Sequence, residues 1–272
     1  MSSEHRYNGL GMVPSAGLPS VRAASRLDSL REKPVFDFFP TLCELQPQIA
    51  EFHFATYRRR PGLSERLRER LERSDDGLRE AAERLSDQGI EFWDAVLSLA
   101  IQRGTVRESF LEAAVLHDFN LPERSFVLSR EQVLDHGLTE IVPQLNTGEG
   151  LLVRSELRLQ SGATAFLPML DLSCPCYGEN ARTIRKLVKL SGSPVGVLVR
   201  SGRSYHFYGV TLFSEKEWLR FMSLALLFAP VTDSRYIGHR LLDGECRLKI
   251  VDSDGGTIPV IEEAFADEAH ED

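Results

Sequence analysis

The 272-residue chain has only four cysteines, far too few to staple a fold of this length, so a disulfide framework is excluded. Its longest apolar run, residues 221–231, falls well short of the ~20 residues that cross a bilayer. The first 29 residues are rich in Ser, Gly and Pro and hold no apolar segment of a secretory kind. The expectation is a protein of the reducing cytoplasm with no membrane partner. A basic excess is missing too: the net charge is −8, which alone argues against a nucleic-acid ligand. The local balance differs, because residues 151–250 carry 14 Lys and Arg against 8 Asp and Glu. Acid is displaced to the remainder, including residues 262–272, which read as a solvated acidic tail.

Residues 1–30 read as a flexible N-terminus. From 31 to 120 the pattern is helical: Leu63, Leu67 and Leu71 recur every four residues, and Ile90, Phe92, Trp93, Val96 and Leu97 continue an apolar face. Asp75-Asp76-Gly77 breaks that pattern. Arg58-Arg59-Arg60 reads more simply as a solvated helix end than as a phosphate contact. From residue 121 to 261 strand composition takes over, first at 125–133 and 151–159, with Asn146-Thr147-Gly148 as a turn. Then follow a strand at 163–172, a helix at 181–190, strands at 194–200 and 204–211, and a helix at 214–228. That last helix opens on a capping box, Ser214 with Glu217. Residues 235–242 and 245–251 read as a hairpin across Asp243-Gly244. The fold class predicted is α+β: a ferredoxin-like split β-α-β core of the RNA-recognition-motif kind with extra strands, preceded by a helical N-terminal region.

That topology has a chemical consequence. The first and third strands of such a core are antiparallel neighbours, and the fourth lies on the other side of the first. Asp171 at the end of strand one, Ser204 and His206 at the start of strand three, and Asp233 just ahead of strand four would then meet at one sheet edge. Ser204 and His206, two residues apart, share a strand face. Two carboxylates on adjacent strand ends suit Mg²⁺ or Mn²⁺, hard cations that take oxygen ligands and leave room for water and phosphate. Arg203, His206 and Arg235 would supply donors to a triphosphate. The competing reading, two ordinary strand-end acids, loses ground because the acids accompany a basic Ser/His turn.

Other features carry less. Arg182, Arg185, Lys186 and Lys189 form one basic helix face that suits a nucleic-acid backbone and equally suits plain solvation, while Ile184, Leu187 and Val188 point to the core. Cys174-Pro175-Cys176 has no His to complete a zinc set and reads as two free thiols. His239 reads either as a site residue or as a satisfied sheet histidine. Tyr205, Phe207 and Tyr208 read as packing residues.

Taken together, Met169-Leu170-Asp171-Leu172-Ser173, Ser201-Gly202-Arg203-Ser204-Tyr205-His206 and Asp233-Ser234-Arg235-Tyr236-Ile237-Gly238-His239-Arg240 resemble the motifs of the archaeo-eukaryotic primase superfamily, over residues 160–251. The likeness is greatest to its bacterial primase-like subset. The resemblance implies that Asp171 and Asp233 hold the metal and serve with His206 in catalysis. It implies that Ser204 and His206 contact the phosphates of an incoming nucleoside triphosphate, and that Arg235 and Arg240 touch triphosphate or template. The implied reaction is phosphodiester formation from nucleoside triphosphates on a single-stranded nucleic-acid template, in DNA replication or repair. The chain departs from the family at Ser173, where a second acid is usual. A neutral hydroxyl there leaves room for one-metal chemistry, for Glu179 as a substitute, or for a degenerate protein that binds nucleotide or nucleic acid as a partner in a larger complex. An interaction protein with incidental acids is the remaining alternative.

Overall fold

Ile49–Arg58 is rich in aromatic and β-branched residues, with Phe52 and Phe54 to one side and His53 and Ala55 to the other, a composition and period that suit a strand. It corrects the expectation of helix throughout residues 31–120. The computed structural model describes residues 21–58, 77–88, 90–115, 122–135, 137–202, 204–253 and 257–265. Leu63, Leu67, Leu71, the Asp75-Asp76 break, Arg59, Arg60, Arg203 and the end of the acidic tail therefore lie outside the described residues. Among those described there are ten α-helices and two antiparallel sheets, a mixed α+β architecture.

The first sheet is built on β1 (Ile49–Arg58), flanked by β2 (Pro122–Ser129) and β3 (Glu149–Leu159), with β4 (Thr164–Phe166) and β8 (Arg247–Val251) both paired to β3. Phe52 and Phe54 lie against Phe39 of α2 (Phe38–Leu45), which follows α1 (Val21–Asp28). The strand expected at 163–172 divides at Pro168, which has no N–H for a ladder: β4 stays with the first sheet and β5 (Met169–Pro175) enters the second.

The second sheet runs β5-β7-β6-β9, from β6 (Gly196–Ser201), β7 (Ser204–Gly209) and β9 (Val260–Phe265). The helix α8 (Gly178–Leu190) joins β5 to β6. The first half of the expected plan, strand-helix-strand-strand with β5 beside β7, is thus present. The second half is not. Residues 235–242 form a helix, α10 (Ser234–Asp243), instead of a fourth strand. Asp233 caps it by accepting the Tyr236 N–H at 2.8 Å, and Gly244 ends it at φ 75°. An Asp-Gly pair serves a two-residue hairpin and a helix C-terminus equally, because both need a residue in the left-handed region. β8 goes to the first sheet. β9, which runs into the stretch read as an acidic tail from residue 262, closes the far edge of the second.

The remaining helices are α3 (Leu78–Ser86), α4 (Phe92–Arg103), α5 (Glu108–Val115), α6 (Arg130–Leu134), α7 (Gly137–Ile141) and α9 (Glu215–Leu226). α9 carries the predicted capping box, with Ser214 and Glu217 bonded reciprocally. α3 to α5 close around their own small core of Leu78, Ala82, Trp93, Val96 and Phe110, apart from the main one.

β3 opens on a buried acid. Glu149 accepts from the Asn146 N–H at 2.8 Å, the Asn146 amide at 2.9 Å and Arg124 at 2.9 Å. Burial pushes this carboxyl up, but the bonds from Asn146, Thr56 and Arg124 outweigh it and hold the group below the usual range. A lowered folded pKa means stability that is present above the unfolded value and lost as pH falls through the folded one. Glu149→Gln is expected to cost about 1–2 kcal/mol at neutral pH and to lose part of the acid-side decline, read as urea midpoint against pH. An unchanged profile would show that the turn does not depend on the charge.

Candidate functional site

Cross-strand pairing puts Asp171 directly opposite His206. Paired residues share a sheet face, so both lie on the face of the second sheet that carries Tyr208. The Tyr208 ring packs on Phe38 and Phe39, with centroids 5.8 and 6.3 Å away, so that face looks toward α2 and the first sheet. The other face carries Phe207, Leu198 and Glu263 and receives α8, whose Arg185 pairs with Glu263 at 2.5 Å and lies over Phe265. The site face is therefore interior to the two-sheet arrangement, opening at the end of β5.

At that end β5 is irregular. Between the pairs Asp171–His206 and Pro175–Ser204 it has three residues, Leu172, Ser173 and Cys174, against the single Tyr205 of β7. Such bulges turn side chains out of a ladder and are common beside active sites. The backbone of Leu172 and Ser173 is instead met from the other side. Leu172 bridges Thr232, the Ser173 N–H donates to Val231, and the Asp233 N–H donates to the Asp171 carbonyl at 3.3 Å. Residues 231–233 stand where the fourth strand was expected, as a brief bridge before α10. The Thr232 hydroxyl, buried, anchors this segment by donating to the Ala225 carbonyl at 2.7 Å.

The structure pairs Asp171 with His206 across β5 and β7, and it sets the Asp233 backbone beside Asp171 through the 231–233 bridge and not through a fourth strand. Asp171 and Asp233 are joined through their backbones, and Asp171 and His206 approach through their side chains at 3.7 Å, Oδ1 to Nε2. That distance exceeds a hydrogen bond. Burial drives the imidazole down to about 3, with the Lys249 ammonium adding to the effect, so His206 is neutral near pH 7 and the contact is not an ion pair. Its Nδ1 is buried with no hydrogen-bond partner among the described residues. Two phenols complete the surroundings. Burial, and secondarily the Asp171 charge, raises Tyr208; burial, then Cys246, raises Tyr236, to which Asp171 also contributes. Both stay neutral beside the carboxylate.

Lys249 of β8 escaped the sequence reading. Its ammonium lies 5.8 Å from the centre of the Tyr57 ring and is felt at His206. No local motif marks it; its position follows from β8 pairing with β3, a long-range contact.

Other candidates stand differently. Ser204 starts β7 and accepts a contact from the Cys176 thiol on its carbonyl at 3.2 Å. Arg203 lies outside the described residues. Arg235, read as a triphosphate donor on a strand, is on α10 and bonds Glu91 at 2.6 Å, Asp94 at 2.6 Å and the Ala114 carbonyl at 3.2 Å. Arg240 is buried, pairs with Asp243 at 3.2 Å and lies over the Tyr236 ring. His239 is on α10 as well, not on a strand. Tyr205, Phe207 and Tyr208 are buried. Cys174 and Cys176 are free thiols raised by burial.

A divalent cation is limited by the donors at hand. Among the described residues no group of three or more His, Cys, Asp and Glu side chains is placed to hold a metal. Asp171 and Asp233 offer two carboxylates on hydrogen-bonded backbones, one of them with Oδ1 committed to the α10 cap. Mg²⁺ needs no more from a protein than one or two carboxylates when substrate phosphates supply the rest, so the pair fits a cation shared with a nucleotide and not a closed protein cage.

Residues 129–260 match the family described as AEP-like, archaeo-eukaryotic primase 1D-like. No curated protein and no solved structure matches the chain. No described helix is long and apolar enough to cross a membrane.

Proposed function

We propose that this chain, whose residues 129–260 match the archaeo-eukaryotic primase 1D-like family, is a nucleotidyltransferase that joins nucleoside triphosphates on a single-stranded template. The observation that carries the reading is the meeting of Asp171, Asp233 and a neutral, buried His206 at the bulged end of β5. Asp171 and Asp233 would hold Mg²⁺ or Mn²⁺ together with the triphosphate. When bound, the cation would neutralise charge building on the transferred phosphoryl group. The chain's own residues divide the remaining work. The helix cap fixes the Asp233 carboxylate, and the Asp171 carbonyl fixes its backbone, so Asp233 need not reorganise. His206, kept neutral by burial, would donate a single hydrogen bond from its N–H to a phosphate oxygen and present no competing charge to the cation. Ser204 opens the same strand face and adds a hydroxyl donor. Lys249 adds positive charge on the first-sheet side.

Ser173 favours a second reading. It is exposed, it stands on the bulge, and it brings no charge. A protein lacking that acid would bind nucleotide with metal and join nothing, acting as a nucleotide- or nucleic-acid-binding partner in a larger assembly. One experiment separates the two. The whole chain is incubated with labelled nucleoside triphosphates, single-stranded template and Mg²⁺ or Mn²⁺, with and without EDTA, and nucleotide binding is followed in parallel. Metal-dependent product is expected, lost with EDTA. Metal-dependent nucleotide binding with no product would select the second reading, and no binding at all would remove both.

A further inference from the structure

One face of α8 is exposed to solvent. Ala181, Ile184, Leu187 and Val188 are buried, and Arg185 is spent on Glu263 and Phe265. Arg182, Lys186 and Lys189 remain exposed at i, i+4 and i+7. At 1.5 Å per residue they form a stripe about 10 Å long. One acid, Glu179, stands a turn before it. Just ahead of the helix, Tyr177 occupies the N-cap position and exposes 67% of its surface. Its N–H donates to Pro175, and Pro175 pairs with Ser204. The Tyr177 backbone therefore lies at the end of β5, just ahead of the helix that carries the basic stripe.

We propose that Tyr177, Arg182, Lys186 and Lys189 form a track for a single strand of nucleic acid along the outer face of α8. The chemistry is complementary: cations spaced along a helix meet successive phosphates, and an exposed ring stacks on a base, a contact any base can make. One ring beside one line of charge suits an unpaired strand, since a duplex hides its base faces. The track is on the sheet face opposite Asp171, so the strand passes the end of β5 at Tyr177. That this strand is the template rests on the nucleotidyltransferase reading; that the surface binds it does not.

The test is fluorescence anisotropy of labelled oligo-dT with the full chain over a range of salt. Arg182→Gln/Lys186→Gln/Lys189→Gln is expected to weaken binding at least ~10-fold and to reduce the slope of log affinity against log salt by about 2, from ~0.7 per phosphate contact on a single strand. Tyr177→Ala is expected to weaken binding roughly 10-fold, with Tyr177→Trp restoring it. Lys216→Glu, an exposed change on α9, is the control and leaves affinity unchanged. Wild-type affinity in both the triple variant and Tyr177→Ala, or no oligo-dT binding by the wild type, overturns the track. Nucleotide incorporation is measured separately. Failure to incorporate while the track variants still lose oligo-dT would sink the catalytic reading and leave this surface standing; incorporation by a wild type that binds oligo-dT independently of the stripe would do the reverse.

Discussion

Asp171→Asn is expected to lower templated incorporation by roughly three orders of magnitude, about 4 kcal/mol of transition-state stabilisation, while leaving the thermal melt close to wild type. The change keeps the shape of the side chain and removes its charge. The Asp171 side chain is about one-third exposed, and it is the Asp171 carbonyl that accepts the Asp233 N–H, a bond the change leaves in place. Catalysis has a large stake in the charge. With Ser173 neutral and Asp233 partly engaged as a helix cap, Asp171 is the main negative group facing His206 and a bound triphosphate. Incorporation within a few-fold of wild type would take the metal role away from Asp171. A drop in incorporation matched by an equal loss of stability would point to a structural role.

Arg235→Ala is expected to destabilise the protein by about 2 kcal/mol and to lower the melting temperature by roughly 6 °C. The guanidinium is largely buried and bonds Glu91 and Asp94, two carboxylates on the start of α4. Those acids are one-third to one-half exposed, so the cost falls below that of a fully buried pair. Glu91 is also the N-cap of α4, accepting from the Trp93 and Asp94 N–H groups. Arg235 thus ties the small core of α3 to α5 to the helix that Asp233 begins. Hydrogen exchange is expected to quicken mainly in residues 78–115, with the second sheet protected as before. Unchanged exchange in α3 to α5 would mean that the helices are held by something other than this clamp. Arg235→Lys keeps the charge and loses the fork that spans two carboxylates, and should fall between the two.

The contrast between Asp171 and Arg235 shows what the sequence could carry. Asp171 and His206 were legible because their meeting needs only that β5 and β7 be antiparallel neighbours, which the strand-helix-strand-strand order implies once the Gly202 turn marks β6 and β7 as a hairpin. The capping box at Ser214 and Glu217 was legible because its signal is local. Arg235 was misplaced because Asp243-Gly244 serves a helix end as well as a hairpin, and the cap at Asp233 was read as a metal ligand alone. The strand composition of β1 was overlooked beside strong helical periodicity on both sides of it, although Phe52, Phe54 and Tyr57 were there to read. Lys249 and the bulge at Ser173 had no local signal. One depends on β8 pairing with β3 and the other on residues 231–233 replacing β7 as a backbone partner.

The shared cation is the claim on which the rest turns. Mn²⁺ uptake followed by electron paramagnetic resonance, with and without a nucleoside triphosphate, tests it for wild type, Asp171→Asn and Asp233→Asn. The account predicts weak uptake by the protein alone, strengthening by at least ~10-fold when triphosphate is present, and loss of that strengthening in either variant. Equal Mn²⁺ affinity in wild type and both variants, with the triphosphate bound, would contradict it.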